Sequence, residues 1–367
     1  MAKKAYIGVK GVARKIKKIY IGIDGVARRV KKAYIGVGGV ARPCFGGGEL
    51  TYYGKITPLS EARDSMEATS IGNYALFAGG KSGTTSKVVD VYDKSLTKTT
   101  ATEMVKGKYR HSATHNANYA IFSSGYSALT NVDAYDKSLA HTEATRPEVG
   151  RYYTASTNVG GYALIAGGLD AYSVARAEVD AYDGSLTKTI ATPLSVARQQ
   201  IKAATVGNNA IFACGLRETG NAYTSNAVDI YDDSLTKTST TLSKSTYFGA
   251  STSVGDYALF FSNNESVFEI YVFDKSLTAT VITPIVNRRV DATATTVGDY
   301  ALFGTGYFNG TRYNDVLVID SSLTQTTSTP LTQARNLATA TSVGDYAIFA
   351  GGNTQVYLNS AEAYAVI

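Results

Sequence analysis

The sequence predicts an all-β chain: a closed ring of seven four-stranded sheets, preceded by a small module of β-hairpins. Three observations predict it. The string "VGDYALF" at 254–260 returns at 297–303 and, as "VGDYAIF", at 343–349, so one strand is written repeatedly. A longer period of 43 to 48 residues runs through Tyr74, Tyr119, Tyr162, Asn209, Tyr257, Tyr300 and Tyr346. The composition, with 35 Gly, 27 Tyr, 6 Pro and no Trp, suits short strands and tight turns better than long helices.

The first element, residues 1–48, repeats every 14 positions: "AYIGVKGVARKIKK" from Ala5, "IYIGIDGVARRVKK" from Ile19 and "AYIGVGGVARPCFG" from Ala33. Each copy sets a β-rich run on either side of a Gly-containing pair (Lys10-Gly11, Asp24-Gly25, Gly38-Gly39), which predicts a hairpin with a two-residue turn. Three hairpins are expected to form a small meander, with Tyr6, Tyr20 and Tyr34 stacked along one face. Twelve of the 36 Lys and Arg residues fall within 1–49, against two of the 30 acids, so the net charge of +6 is segregated between two modules. So short a module buries little core and is expected to lean on self-association or a partner.

The second element, residues 49–367, carries the long period. In its first unit "EATSI" turns at Gly72-Asn73 into "YALFAGG", an apolar strand buried on both faces, followed by "KVVDVYD", the turn "DKSL" and a polar fourth strand. The turn returns as "DKSL" at 136 and 274, "DGSL" at 183, "DDSL" at 232 and "DSSL" at 320. Its Asp is expected to accept backbone N–H groups rather than to bind metal. A period of this length with four strands per unit is the mark of a β-propeller blade. The last unit stops after its third strand at "AEAYAVI", and "LTYYGKITPLSEAR" at 50–63 matches a fourth strand plus connection, so residues 50–57 are expected to close the seventh blade.

The residues then resemble a known family. Gly doublets end the second strand (Gly79-Gly80, Gly167-Gly168, Gly351-Gly352), tyrosines sit in the third (Tyr92, Tyr135, Tyr182, Tyr231, Tyr364), and arginines stand in the connections (Arg63, Arg198, Arg335). This pattern, over residues 50–367, resembles kelch-type propellers, although the kelch Trp of the fourth strand is absent and several doublets are degraded.

Comparing units within the chain separates scaffold from variable surface. The turns "IGN" and "VGD" and the "DxSL" turns are nearly uniform and are expected on one face. The loops between second and third strands, such as "LDAYSVARA" (169–177), "LRETGNAYTSN" (216–226), "NNESV" (263–267) and "YFNGTRYN" (307–314), diverge, as do connections such as "KGKYRH" (106–111) and "EVGRYY" (148–153). Variable loops on a rigid scaffold are a seat of recognition. The predicted ligand surface therefore comprises Tyr109, Arg151, Tyr152, Tyr153, Tyr172, Arg176, Arg217, Tyr223, Tyr307, Arg312 and Tyr313, with Tyr rings for sugar faces and hydroxyls for hydrogen bonds.

Chemistry is harder to find. His111 and His115 are expected on a strand, where four residues span roughly 13 Å, too far for one ion. Cys214 falls where other units place a Gly of the doublet and is expected to be a small buried residue. Copper ligation as in galactose oxidase cannot be placed, no phosphate-binding loop follows a strand, and "DKSLTKT" lacks the Gly and Trp of a sialidase Asp box. Asp64 and Glu67 stay open as glycosidase carboxylates.

The expectation drawn from the sequence is a non-enzymatic adhesin without a cofactor. The hairpin repeats resemble N-terminal modules of bacteriophage and prophage tail-associated proteins. That resemblance implies attachment to a host cell-surface glycan or surface protein, docking to a tail or baseplate protein through residues 1–48, a homo-oligomer with a trimer as the expected form, and a place in the virion or outside the cell after lysis. No signal peptide is expected, because the N-terminus "MAKKAYIGVKG" carries charge but no apolar h-region, and no membrane partner, because no apolar run of 18 residues occurs. Nucleic acid is the lesser alternative for the basic module. Two other readings stay open: a glycan-degrading hydrolase or lyase on the same face, and an intracellular kelch interaction scaffold.

Overall fold

A computed structural model describes residues 48–217, 223–262 and 268–367, and the backbone of strands 6–9, 12–15, 19–23, 26–30, 32–37 and 40–46. The turn pairs of the three repeats, the proposed Tyr6, Tyr20 and Tyr34 stack, the loop 263–267 and part of the loop 216–226 lie outside the described residues. Each repeat forms its own antiparallel hairpin, with Val9 opposite Val12, Ile23 opposite Val26 and Val37 opposite Val40. The meander is corrected: the described strands pair only within each hairpin, giving three separate two-stranded sheets. Sequences such as "KIKK" and "RVKK" supply the reason, since Lys-rich edges discourage strand addition.

From Leu50 onward the chain forms seven four-stranded antiparallel sheets. Blade 1 consists of Glu67–Ile71, Tyr74–Ala78, Val89–Asp93 and Lys98–Thr100. First strands of neighbouring blades touch all the way round, so the ring is closed: a seven-bladed β-propeller. The second strand is buried throughout, as in Ala75, Leu76, Phe77 and Ala78, because each sheet is covered on both faces by its neighbours. The seam falls where the sequence puts it. Leu50–Ile56 pairs with Ala361–Val366 as the outer strand of blade 7, and Glu49 and Ile367 exchange backbone hydrogen bonds of 2.8 and 3.2 Å.

Two repeated contacts hold blade to blade. Third-strand tyrosines donate to threonine carbonyls in the preceding connection: Tyr92 to Thr57 at 2.7 Å, Tyr135 to Thr102 at 2.8 Å, Tyr182 to Thr145 at 2.8 Å, Tyr231 to Thr192 at 2.6 Å and Tyr364 to Thr329 at 2.7 Å. Buried cations clasp a third-strand acid: Arg63 to Asp90, Arg198 to Asp229 and Arg335 to Glu362, each at 2.7 Å, with Lys108 and Asp133 at 2.8 Å in blade 2. Such pairs are satisfied only as pairs; removing one partner strands a buried charge. Blade 5 departs from this plan, with Thr246 and Tyr271 in the corresponding places and Phe248, Phe260 and Phe273 packed against one another.

The glycine doublet has a steric cause. A Cβ on Gly79 (φ +68°) would lie 2.5 Å from the Lys108 carbonyl oxygen, and one on Gly80 (φ +91°) 2.6 Å from that of Asp64. Cys214, at the matching position of blade 4, is buried, and burial pushes its thiol up to about 12, leaving it an inert small side chain.

Candidate functional site at the channel mouth

Six residues just before the first strands share a left-handed backbone: Ser65, Arg110, Tyr153, Gln200, Asp291 and Leu337, with φ between +49° and +56°. Five of them knit the rim together through four backbone hydrogen bonds. Ser65 N–H donates to Leu337 O at 3.2 Å, Arg110 to Ser65 O at 3.1 Å, Tyr153 to Arg110 O at 3.1 Å and Gln200 to Tyr153 O at 3.3 Å. This backbone girdle fixes the rim, so its side chains can differ from blade to blade without disturbing the fold. Non-glycine residues in this region store strain of about 1–3 kcal/mol each, held here by the surrounding ring.

The side chains of Arg110, Tyr153, Gln200 and Asp291 meet around a cavity of about 170 Å³, with Glu67 and Lys202 lower in its wall. Glu67 and Lys202 stand where the other blades carry Ser112, Ala155, Ala250, Thr293 and Thr339. Burial pushes the Glu67 carboxyl up to about 7, while Lys202 pulls it in the opposite direction. Asp291 is exposed and accepts a hydrogen bond from Asn336 Nδ2 at 3.4 Å. His111 also borders the cavity, but it is packed between blades beside Phe122; burial first, then Lys108 and Arg63, hold its ring neutral. His115 lies on the strand Ser112–His115, as the spacing predicts, bonded to Asn158 at 3.0 Å.

A row of tyrosines leads outward from this mouth over blades 2 and 3. Ring centroids are 5.4 Å apart for Tyr153 and Tyr152, 5.4 Å for Tyr152 and Tyr126, and 5.1 Å for Tyr126 and Tyr109. Backbone bridges between Tyr109 and Tyr126 and between Tyr152 and Leu169 pin the connections to the loops that carry the rings. The Arg110 guanidinium lies 4.7 Å from the Tyr153 ring and 5.7 Å from the Tyr109 ring, and Lys81 Nζ is 4.9 Å from Tyr109. Beyond the row opens a second cavity of about 420 Å³, bordered by Lys106, Tyr126, Leu129, Arg146, Tyr152 and Ser173.

The predicted ligand residues separate into groups. Tyr109, Tyr152 and Tyr153 come together in the row, where Tyr152 is buried and braces the rings of Tyr126 and Tyr153 from behind the surface predicted for it. Tyr172 (88 % exposed) and Tyr223 (57 % exposed) stand out from their loops, and Arg217 is exposed. Arg176 is taken up by Glu178 and by Asp170 at 3.7 Å. Tyr307, Arg312 and Tyr313 form a separate patch on blade 6, where Arg312 covers Tyr307 at 5.6 Å and Arg289 covers Tyr313 at 4.7 Å. Arg151 is corrected: it is 0 % exposed, clasps Asp180 and donates to Gly167 O at 3.0 Å, because it is the interblade cation of blade 3. Of the carboxylates Asp64 and Glu67, Asp64 is buried against Asn353 at 3.2 Å and only Glu67 faces the cavity. Arg110, Tyr126, Gln200, Lys202 and Asp291 were not singled out by the sequence reading. The signal for most of them lies in the unit alignment, where the residue preceding the first strand varies as freely as the long loops.

No protein-family model matches the chain, and no curated protein matches it. Among solved structures it is similar to a fungal alcohol oxidase of the AA5 family in complex with copper, at 15 % identity and a TM-score of 0.60, covering 87 % of this chain and 76 % of that one. It is also similar to YjhT, at 12 % identity and a TM-score of 0.53, covering 84 % and 95 %. At these identities the likeness shows the propeller fold. It also corrects the expectation of a chain without catalysis, since one of these neighbours is an oxidase and the ring is therefore a scaffold that carries enzymes. Among the described residues no three His, Cys, Asp or Glu side chains converge.

Proposed function

We propose that this protein is a carbohydrate-active enzyme that cleaves an extended glycan lying across the propeller mouth, with Glu67 as proton donor and Asp291 as partner carboxylate. One observation carries the reading. Two carboxyl side chains border a single cavity, one buried enough to hold its proton near neutral pH, and that cavity continues into a row of tyrosine rings. Glycosidic bonds are broken by such pairs: a carboxylic acid protonates the leaving oxygen, and a carboxylate attacks the anomeric carbon or activates water against it. The tyrosine faces supply flat apolar area for sugar rings and the hydroxyls to orient them.

A second reading, attachment to a host cell-surface glycan through the same face, is favoured by exposed rings at and beside the row, Tyr126 and Tyr172, which extend the surface beyond what one scissile bond needs. On that reading the blades are kelch-like, residues 1–48 dock a tail or baseplate protein, and the chain works as a trimer. Gripping and cutting one polysaccharide are compatible.

The test is release of new reducing ends from a panel of soluble polysaccharides by the full chain. Glu67→Gln is expected to lower the rate by about 100-fold or more, the scale of a lost general acid. The wild-type rate is expected to fall as pH rises through about 7, where Glu67 gives up its proton. A wild-type chain that releases no ends from any polysaccharide it binds, or a Glu67→Gln variant with full activity, overturns the proposal.

A further inference from the structure

The cations on this face are of two kinds, those that end on a carboxylate and those, such as Arg312 over Tyr307, that rest on a ring. Arg176 ends on Glu178, Lys244 on Glu269 at 2.5 Å and Arg146 on Glu143 at 3.2 Å. Arg110 has no such partner: its guanidinium rests between two tyrosine rings, and among the described residues no carboxylate pairs with it. Lys81 rests on Tyr109 in the same way, and Lys106 stands exposed at the edge of the larger cavity. Ring stacking fixes the plane of a guanidinium and displaces part of its water, yet leaves its in-plane N–H donors unused. Those donors suit a carboxylate or phosphate in a two-pronged hydrogen bond, which neutral sugars cannot offer.

Resting on the reading that mouth and row hold a glycan, we propose that the glycan is polyanionic: a chain of sugars bearing carboxylate or phosphate groups, its rings on Tyr109, Tyr126 and Tyr153 and its charges on Arg110, Lys81 and Lys106. Arg110 is the specificity-determining residue, since it is the cation that both borders the mouth and rests on the rings of the row.

Binding of the full chain to polygalacturonate, to poly(glycerol phosphate) and to neutral dextran, followed by titration calorimetry, tests this. At least one polyanion is expected to bind about tenfold more tightly than dextran, with affinity falling as salt rises. Arg110→Gln is expected to remove about tenfold of polyanion affinity and leave dextran unaffected. The backbone accepts this change, because Gln200 occupies the equivalent place at φ +49°, against +52° for Arg110. Lys106→Gln, at an exposed position, is expected to weaken the polyanion a few-fold. Preference for polygalacturonate assigns the carboxylate and preference for poly(glycerol phosphate) the phosphate. Dextran bound as tightly as either polyanion, no binding of any polymer, or an unaltered Arg110→Gln overturns the inference. Arg110-dependent polyanion binding without new reducing ends keeps this inference and removes the hydrolase; Glu67-dependent cleavage of dextran without polyanion binding does the reverse.

Discussion

The two faces of the ring treat their polar groups in opposite ways. On the underside each "DxSL" turn is closed on itself: Asp93 Oδ1 accepts the N–H groups of Ser95 at 2.8 Å and Thr97 at 2.9 Å, and Asp232 those of Ser234 at 2.9 Å and Thr236 at 2.8 Å. The leucine of every turn takes the same left-handed backbone, from +61° at Leu96 to +67° at Leu139. Turns and neighbours also interlock, as where Asn116 Nδ2 donates to Asp183 O at 2.6 Å. The turn aspartates are thus taken up by their own turns. At the mouth the girdle satisfies the backbone, while Arg110 and Lys81 rest against rings instead of carboxylates. A repeat scaffold can therefore keep one rim invariant by closing its hydrogen bonds internally and leave the other rim free to be specific.

The largest effect expected is one that breaks both faces together. Arg198→Ala leaves Asp229 buried without its cation and should cost about 3–5 kcal/mol, measured by denaturant unfolding. Blade 5, which has Thr246 and Tyr271 in place of the pair, sharpens the point: Thr246→Ala should cost far less. An intermediate effect is confined to the mouth. Tyr126→Ala, at the middle of the row, should weaken glycan binding about tenfold by calorimetry and leave the unfolding midpoint nearly unchanged, on the scale of a lost aromatic contact. The smallest effect belongs to the underside. The Ser234 hydroxyl, followed by backbone N–H groups, holds the Asp232 carboxyl below its ordinary value, and Asp136, Asp183 and Asp274 are held likewise. Their contribution to stability is present above the unfolded carboxyl pKa and is lost as pH falls through the lower folded values. Asp232→Asn should thus flatten the acid limb of a melting-temperature profile slightly, with ligand affinity untouched; a loss of affinity would show that the faces are coupled.

Much of the scaffold was legible in the sequence, because each blade meets the same neighbours and therefore repeats the same residues. The tyrosines Tyr92, Tyr135, Tyr182, Tyr231 and Tyr364, the seam at Leu50–Ile56 and the aspartate turns all stood out as repeats and are all found in contacts that recur. Arg151 misled for an instructive reason. Beside Tyr152 and Tyr153 in a divergent connection it reads as part of the surface, yet it aligns with Arg63 and Arg198 and is buried like them. Glu67 stood open in the sequence as a glycosidase carboxylate, but its pairing with Asp291 was hidden, because the two belong to blades 1 and 6, far apart along the chain, and share a cavity only through closure of the ring. The Tyr126 and Tyr152 contact is obscured similarly, since it crosses from blade 2 to blade 3.

By itself the sequence determined the number of blades, the strand order within each, the interlocked ends and which rim varies, since these follow from local patterns that every unit repeats. The tertiary structure alone decided which variable side chains converge. Convergence at the axis depends on the angle between blades and on the depth at which each first strand begins, and neither is written in the neighbourhood of any one residue.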